Sequence, residues 1–145
     1  MTKDVIAKLQ NLTLLYAEDE EGIRKNIADS LSYYVKEVIE ASNGVDAFEL
    51  YSQRKPDIIL SDIHMPILNG LEFVKKVRQE DKKIPIIMIT AHTDKEYLLE
   101  AVELKMEKYI VKPIELEVLF GVFKKCLESI EFNKTQYHKV VFVDQ

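Results

Sequence analysis

Five side chains able to do chemistry stand where apolar runs end. Glu18 and Asp19 follow Leu12-Thr13-Leu14-Leu15-Tyr16-Ala17, and Asp62 follows Ile58-Ile59-Leu60-Ser61. Thr90 follows Ile84-Pro85-Ile86-Ile87-Met88-Ile89, and Lys112 follows Tyr109-Ile110-Val111. In an open α/β sheet, ligands bind in the crevice beyond the carboxyl ends of parallel strands. If these runs are such strands, three carboxylates, a hydroxyl and an ammonium converge on one spot. Two like charges about 4 Å apart cost on the order of 4 kcal/mol at an effective dielectric of 20, so a fold that gathers three acids must supply a cation. Hard oxygen ligands with spare coordination sites suit Mg²⁺, which keeps several waters and adds phosphate oxygens; Mn²⁺ is the alternative ion. The set as a whole suits a divalent cation and a phosphoryl group.

Taken singly, each residue also has a plainer use. Acids at a strand-to-helix turn cap the helix and favour its dipole. Asp62 fits an ordinary turn, Thr90 a helix N-cap, and Lys112 a surface lysine whose stem lies along apolar neighbours. Pro113 biases Lys112 to extended geometry, which presents the ammonium at a strand end.

The elements that must position these groups are legible as alternating patterns. Short apolar runs near 12–18, 37–41, 57–61, 84–89 and 108–111 are expected strands. Between and after them lie amphipathic stretches at helical spacing. The first, 20–34, carries Ile23, Ile27, Leu31 and Tyr34, and the second opens at Asn43-Gly44 and is closed by Pro56. The third carries Leu71, Val74 and Val77; the fourth spans 94–104 and the fifth 115–130. Five strand–helix repeats argue for one parallel sheet covered on both faces.

Four segments then carry a resemblance. Leu15–Glu20, Asp57–Pro66 with Asn69-Gly70, Ile86–Ala91 and Tyr109–Pro113 stand in the order found in the receiver domain of two-component response regulators, as in chemotaxis regulators. The resemblance covers about residues 10–130. It implies an α/β, flavodoxin-like, five-stranded parallel sheet of order 2-1-3-4-5 with helices on both faces. By position it makes Asp62 the phosphoacceptor and Glu18 and Asp19 the metal-binding acids, joined by the backbone carbonyl of His64. Thr90 and Lys112 match the phosphoryl-binding pair, and Tyr109 the aromatic switch residue. The implied partners are a sensor histidine kinase or phosphotransfer protein, and an output domain or target reached through the face of the fourth helix, fifth strand and fifth helix. A homodimer is a further expectation. The implied role is a phosphorylation-controlled signalling module: Asp62 gains and loses its own phosphoryl group, and there is no turnover enzyme. Lys105 and Met106 depart from the small residues usual before the fifth strand. His64 and His92 lie two positions after Asp62 and Thr90, where such residues tune dephosphorylation or are simply exposed loop residues.

Composition sets the remaining bounds. The chain has 145 residues, 47% hydrophobic and 31% charged, with a net charge of −5. That is the size of one domain, and its acidity argues against direct nucleic-acid binding, which favours a basic face. No apolar run approaches the roughly 20 residues that cross a bilayer, and no signal-peptide pattern opens the chain. The lone cysteine, Cys126, sits in an apolar-periodic stretch and reads as a small core side chain. A reducing, cytoplasmic setting is therefore expected. Residues 1–131 read as the receiver domain and 132–145 as a tail, a linker toward an output domain outside this chain. Within the tail, His138–Val143 has strand-like composition but no partner in the expected sheet.

Two other readings are weaker. An aspartyl-nucleophile phosphatase or phosphotransferase of the haloacid-dehalogenase type needs a second acid two residues after the nucleophile, where His64 stands. A non-phosphorylated binding module built on the same fold would lack an acid or the lysine, and none is missing.

Overall fold

The computed structural model describes residues 3–91, 104 and 108–144. In chain order the elements are α1 (Lys3–Leu9), β1 (Thr13–Ala17), α2 (Glu21–Leu31), β2 (Glu37–Ala41), α3 (Gly44–Arg54), β3 (Ile58–Asp62), α4 (Gly70–Glu80), β4 (Ile86–Thr90), β5 (Lys108–Val111) and α5 (Leu116–Asp144). The strands form one parallel sheet of order β2-β1-β3-β4-β5. The flavodoxin-like order implied by the resemblance is the order observed.

The apolar runs form strands because both of their faces can be buried. Side chains alternate across a strand, and here the two sets enter two cores. Leu15, Ala17, Ile59, Ile86 and Met88 pack with Ala47 and Tyr51 of α3 and Phe73, Val74 and Val77 of α4. Leu14, Tyr16, Ile58, Leu60, Ile87 and Ile89 pack on the opposite face with Ala28 and Leu31 of α2 and Leu119, Val122, Phe123 and Cys126 of α5. Every residue of β3 and β4 is buried. Burying each such Ile or Leu contributes about 1.5–3 kcal/mol, so the middle of the sheet is its firmest part. Asp62 and Thr90 end these two strands, and a one-residue slip would turn every side chain to the wrong face.

Local signals set the helix ends. Asn43 caps α3 by accepting from the Asp46 N–H, and Asn69 caps α4 through a reciprocal capping box with Glu72. Such caps satisfy orphan N–H groups of the first turn. Helix α3 stops at Arg54, and Lys55 takes a left-handed conformation just before Pro56.

Two features differ from the expectation. A short helix, α1, precedes the sheet; it buries Leu9, and Lys8 Nζ lies 2.6 Å from Glu131 Oε1 on α5. The strand-like reading of His138–Val143 is corrected, because α5 continues as helix through Asp144. Adding a turn to an existing helix costs no new nucleus, whereas a strand there would need a sheet edge to pair with. The expected helix over 94–104, together with His92, Lys105 and Met106, lies outside the described residues, Leu104 apart. Among the described residues, no helix is long and apolar enough to cross a membrane.

Candidate functional site

The carboxyl ends of β1, β3 and β4 and the residue after β5 meet in one place. Glu18 leaves β1 with its N–H donated to Ala41 O at 3.0 Å. The residue is buried, at 1% exposure, while Asp19 beside it is exposed. Asp62, the last residue of β3, is buried at 3% exposure. Carboxylate oxygens of Glu18, Asp19 and Asp62 all lie within 4.8 Å of one another.

Lys112 enters from the end of β5. Its Nζ donates to Asp62 Oδ2 at 2.5 Å and lies 3.4 Å from Glu18 Oε1. The other Asp62 oxygen, Oδ1, accepts the His64 N–H at 3.2 Å. The side chain of His64 is exposed. Thr90 is buried at the end of β4, and its carbonyl accepts the Lys112 N–H at 2.8 Å. This backbone bond carries the β4–β5 pairing up to the lysine. Tyr109 is half-buried on β5 in register with Met88, two residues before Thr90, and packs on the α3–α4 side core.

The electrostatics are unbalanced without a cation. Three carboxylates against one ammonium leave two negative charges when all are ionised. At 4.8 Å each pair of acids repels by about 3 kcal/mol at an effective dielectric of 20. Burial, then the charge of Asp62, pushes the Glu18 carboxyl up to about 7. Burial works against the charge on Lys112, but its hydrogen bond and attraction to Asp62 outweigh it and raise its pKa. Glu18 Oε1 is buried with no hydrogen-bond partner among the described residues. A buried carboxylate oxygen that makes no hydrogen bond, with the Lys112 ammonium 3.4 Å away but shared with Asp62, and two further carboxylates beside it, belongs to a donor set that fits a hard divalent cation.

The loop after Asp62 is held by two glycines. A Cβ on Gly70 would stand 1.9 Å from the Asp62 carbonyl oxygen, and one on Gly44 2.1 Å from that of Leu68. The Gly70 N–H donates to Ile63 O at 2.7 Å and the Gly44 N–H to Leu68 O at 2.9 Å. Helices α3 and α4 thus press their first residues against the loop that starts at Asp62, and only hydrogen side chains permit it.

All the expected site residues among those described lie at the carboxyl edge of the sheet or, for Tyr109, on its last strand. Residue types alone did not reveal Arg24. Its Nη1 donates to Glu18 O at 2.9 Å and its Nε to Glu40 Oε1 of β2 at 3.2 Å. The signal lay in pairing: Glu40 is a charged residue set between Ile39 and Ala41 of β2, opposite Tyr16 in the register.

Known proteins share this sequence pattern. Residues 14–124 match the family described as "Response regulator receiver domain". The chain is 38% identical over 112 residues to chemotaxis protein CheY1 of Helicobacter pylori (strain ATCC 700392 / 26695), covering 74% of this chain and 90% of that protein. It is 28% identical over 125 residues to regulatory protein AtoC of Escherichia coli (strain K12), covering 86% of this chain but 27% of AtoC. The solved structure of the REC domain of AraT, a response regulator from Geobacillus stearothermophilus, superposes with a TM-score of 0.76 at 31% identity, covering 85% of this chain and 98% of that one.

Proposed function

The chain belongs to the response regulator receiver domains, and from that membership we propose that it takes a phosphoryl group onto Asp62 and uses it as a signal. The observation that carries this is the Asp62 carboxylate itself. It is buried at a strand end, with Lys112 Nζ at 2.5 Å and two further carboxylates within 4.8 Å. Glu18, Asp19 and Asp62, with the His64 carbonyl, would hold Mg²⁺, which when bound supplies positive charge opposite the transferring phosphoryl oxygens.

The work of the protein is positioning and charge neutralisation, as in phosphoryl transfer generally. The buried strand β3 holds the Asp62 carboxylate, and the His64 N–H and Lys112 Nζ fix its two oxygens. One of those oxygens attacks phosphorus on a partner's phosphohistidine. The P–N bond breaks, and its electron pair returns to the imidazole, which takes a proton from solvent. With acetyl phosphate the P–O bond breaks instead and acetate leaves. Lys112 then shares its charge with the phosphoryl oxygens.

A phosphoryl group adds strong acceptor oxygens. The Thr90 hydroxyl donates to one of them, and Tyr109 turns toward the space that Thr90 leaves. The output face, of which β5 and α5 are the described parts, is thereby biased between two arrangements. The partners on this reading are a histidine kinase or phosphotransfer protein upstream and an output domain or target protein downstream. The setting is cytoplasmic.

The test is intact-protein mass after incubation with acetyl phosphate and Mg²⁺. One phosphoryl adduct is expected, lost in Asp62→Asn and strongly reduced by EDTA. An undiminished adduct in Asp62→Asn would overturn the assignment.

A further inference from the structure

We propose that Arg24 is a positioning residue for the cation site. Its guanidinium pins the peptide that joins Glu18 to Asp19, and so holds both carboxylates in a ligating arrangement. This rests on the metal reading of the acidic cluster.

The peptide between two adjacent acids decides where both point. Its carbonyl belongs to Glu18, and rotation of this unit swings Asp19 relative to Glu18. Glu18 needs little help, because its carboxyl is buried and its N–H is bonded to β2. Asp19 is exposed, so its direction is set by the backbone that carries it. The Glu18 carbonyl accepts from Arg24 Nη1 at 2.9 Å. The guanidinium is in turn oriented by Glu40 Oε1 at 3.2 Å from Nε. With a side chain only 12% exposed, Arg24 bridges α2, β2 and the β1 end at once. A planar fork serves two acceptors in fixed geometry, which a lysine ammonium on a flexible stem does not. Charge alone is also present nearby without the fork: Lys25 Nζ lies 3.6 Å from the same Glu40 oxygen, on a side chain 56% exposed.

Groups that orient ligands typically change metal affinity about 10–100-fold when removed. The experiment measures Mg²⁺ binding to the full chain by calorimetry, with thermal unfolding of every variant. Arg24→Gln and Arg24→Lys are each expected to weaken Mg²⁺ at least about tenfold. Lys25→Gln removes the same charge without touching the carbonyl and is expected to stay within about twofold, that is, outside the range for orienting groups. Unchanged Mg²⁺ affinity in Arg24→Gln overturns the proposal, and so does wild-type affinity in Arg24→Lys, which would leave only a charge effect. If Arg24→Gln fails to fold, Glu40→Gln replaces it: weakened Mg²⁺ binding in Glu40→Gln and in Arg24→Lys supports the pin, and wild-type binding in either overturns it. Absence of Mg²⁺ binding in the wild type instead defeats the metal reading beneath it.

Discussion

Glu18 offers a direct test of the stored repulsion, through Glu18→Gln. Its carboxyl is 1% exposed and pushed up to about 7, first by burial and then by the charge of Asp62, from an ordinary value of 4.5. An acid with a raised native pKa is protonated in both states below 4.5 and adds nothing there. Between 4.5 and 7 the native state holds a proton that the unfolded chain releases, so stability falls as pH rises. Above 7 the full difference is present. At 1.36 kcal/mol per unit, the loss between pH 5 and pH 8 is about 2 kcal/mol. Glutamine keeps the shape without the titration. Urea unfolding followed by circular dichroism in EDTA, at pH 5 and pH 8, reads the difference between the two proteins, and groups common to both cancel. Glu18→Gln is expected to gain about 2 kcal/mol over wild type on going from pH 5 to pH 8. A difference that is the same at both pH values would refute the claim that burial and Asp62 outweigh Lys112 and leave the Glu18 charge unfavourable in the metal-free protein.

Three further outcomes are expected. Asp19→Ala should weaken Mg²⁺ by at least about tenfold in a titration while leaving the melting temperature intact, because Asp19 is exposed; unchanged affinity would remove Asp19 from the ligand set. Gly70→Ala forces a Cβ onto the Asp62 carbonyl and should cost about 1–3 kcal/mol, as overpacking does, and slow acetyl phosphate labelling; wild-type stability and labelling together would show that the loop gives way freely. Thr90→Ala should leave Asp62 open to labelling but uncouple Tyr109, so that beryllofluoride with Mg²⁺ no longer shifts the Tyr109 amide resonance; shifts identical to wild type would place the coupling elsewhere.

The strands were legible because β3 and β4 are apolar on both faces, and periodicity together with Asn and Gly signals placed α3 and α4. Strand order came from the resemblance, since apolar runs say nothing about which neighbour each chooses. The acids and Lys112 could be read as a site because each stands at the end of such a run. What stayed hidden depends on contacts between distant segments. Arg24 looks like any exposed helix residue until Glu40 of β2 and the Glu18 carbonyl are brought beside it. Gly70 reads as part of a turn until α4 is pressed on the Asp62 carbonyl. Helix α1 is short, and its packing on α5 through Leu9 and Lys8 joins the two ends of the chain. The β-branched residues of 138–143 suggested a strand, but composition is a weak guide where a preceding helix can simply continue.

The most direct test of the central claim identifies the labelled residue itself. An aspartyl phosphate is reduced by borohydride to homoserine, whereas a free carboxylate is untouched. The protein is treated with acetyl phosphate and Mg²⁺, reduced, digested and sequenced by mass spectrometry. Homoserine is expected at position 62 alone, and only when Mg²⁺ is present. Homoserine at position 19, at another acid, or at none, in a sample whose intact mass shows the phosphoryl adduct, would contradict the assignment of Asp62 as the phosphoacceptor.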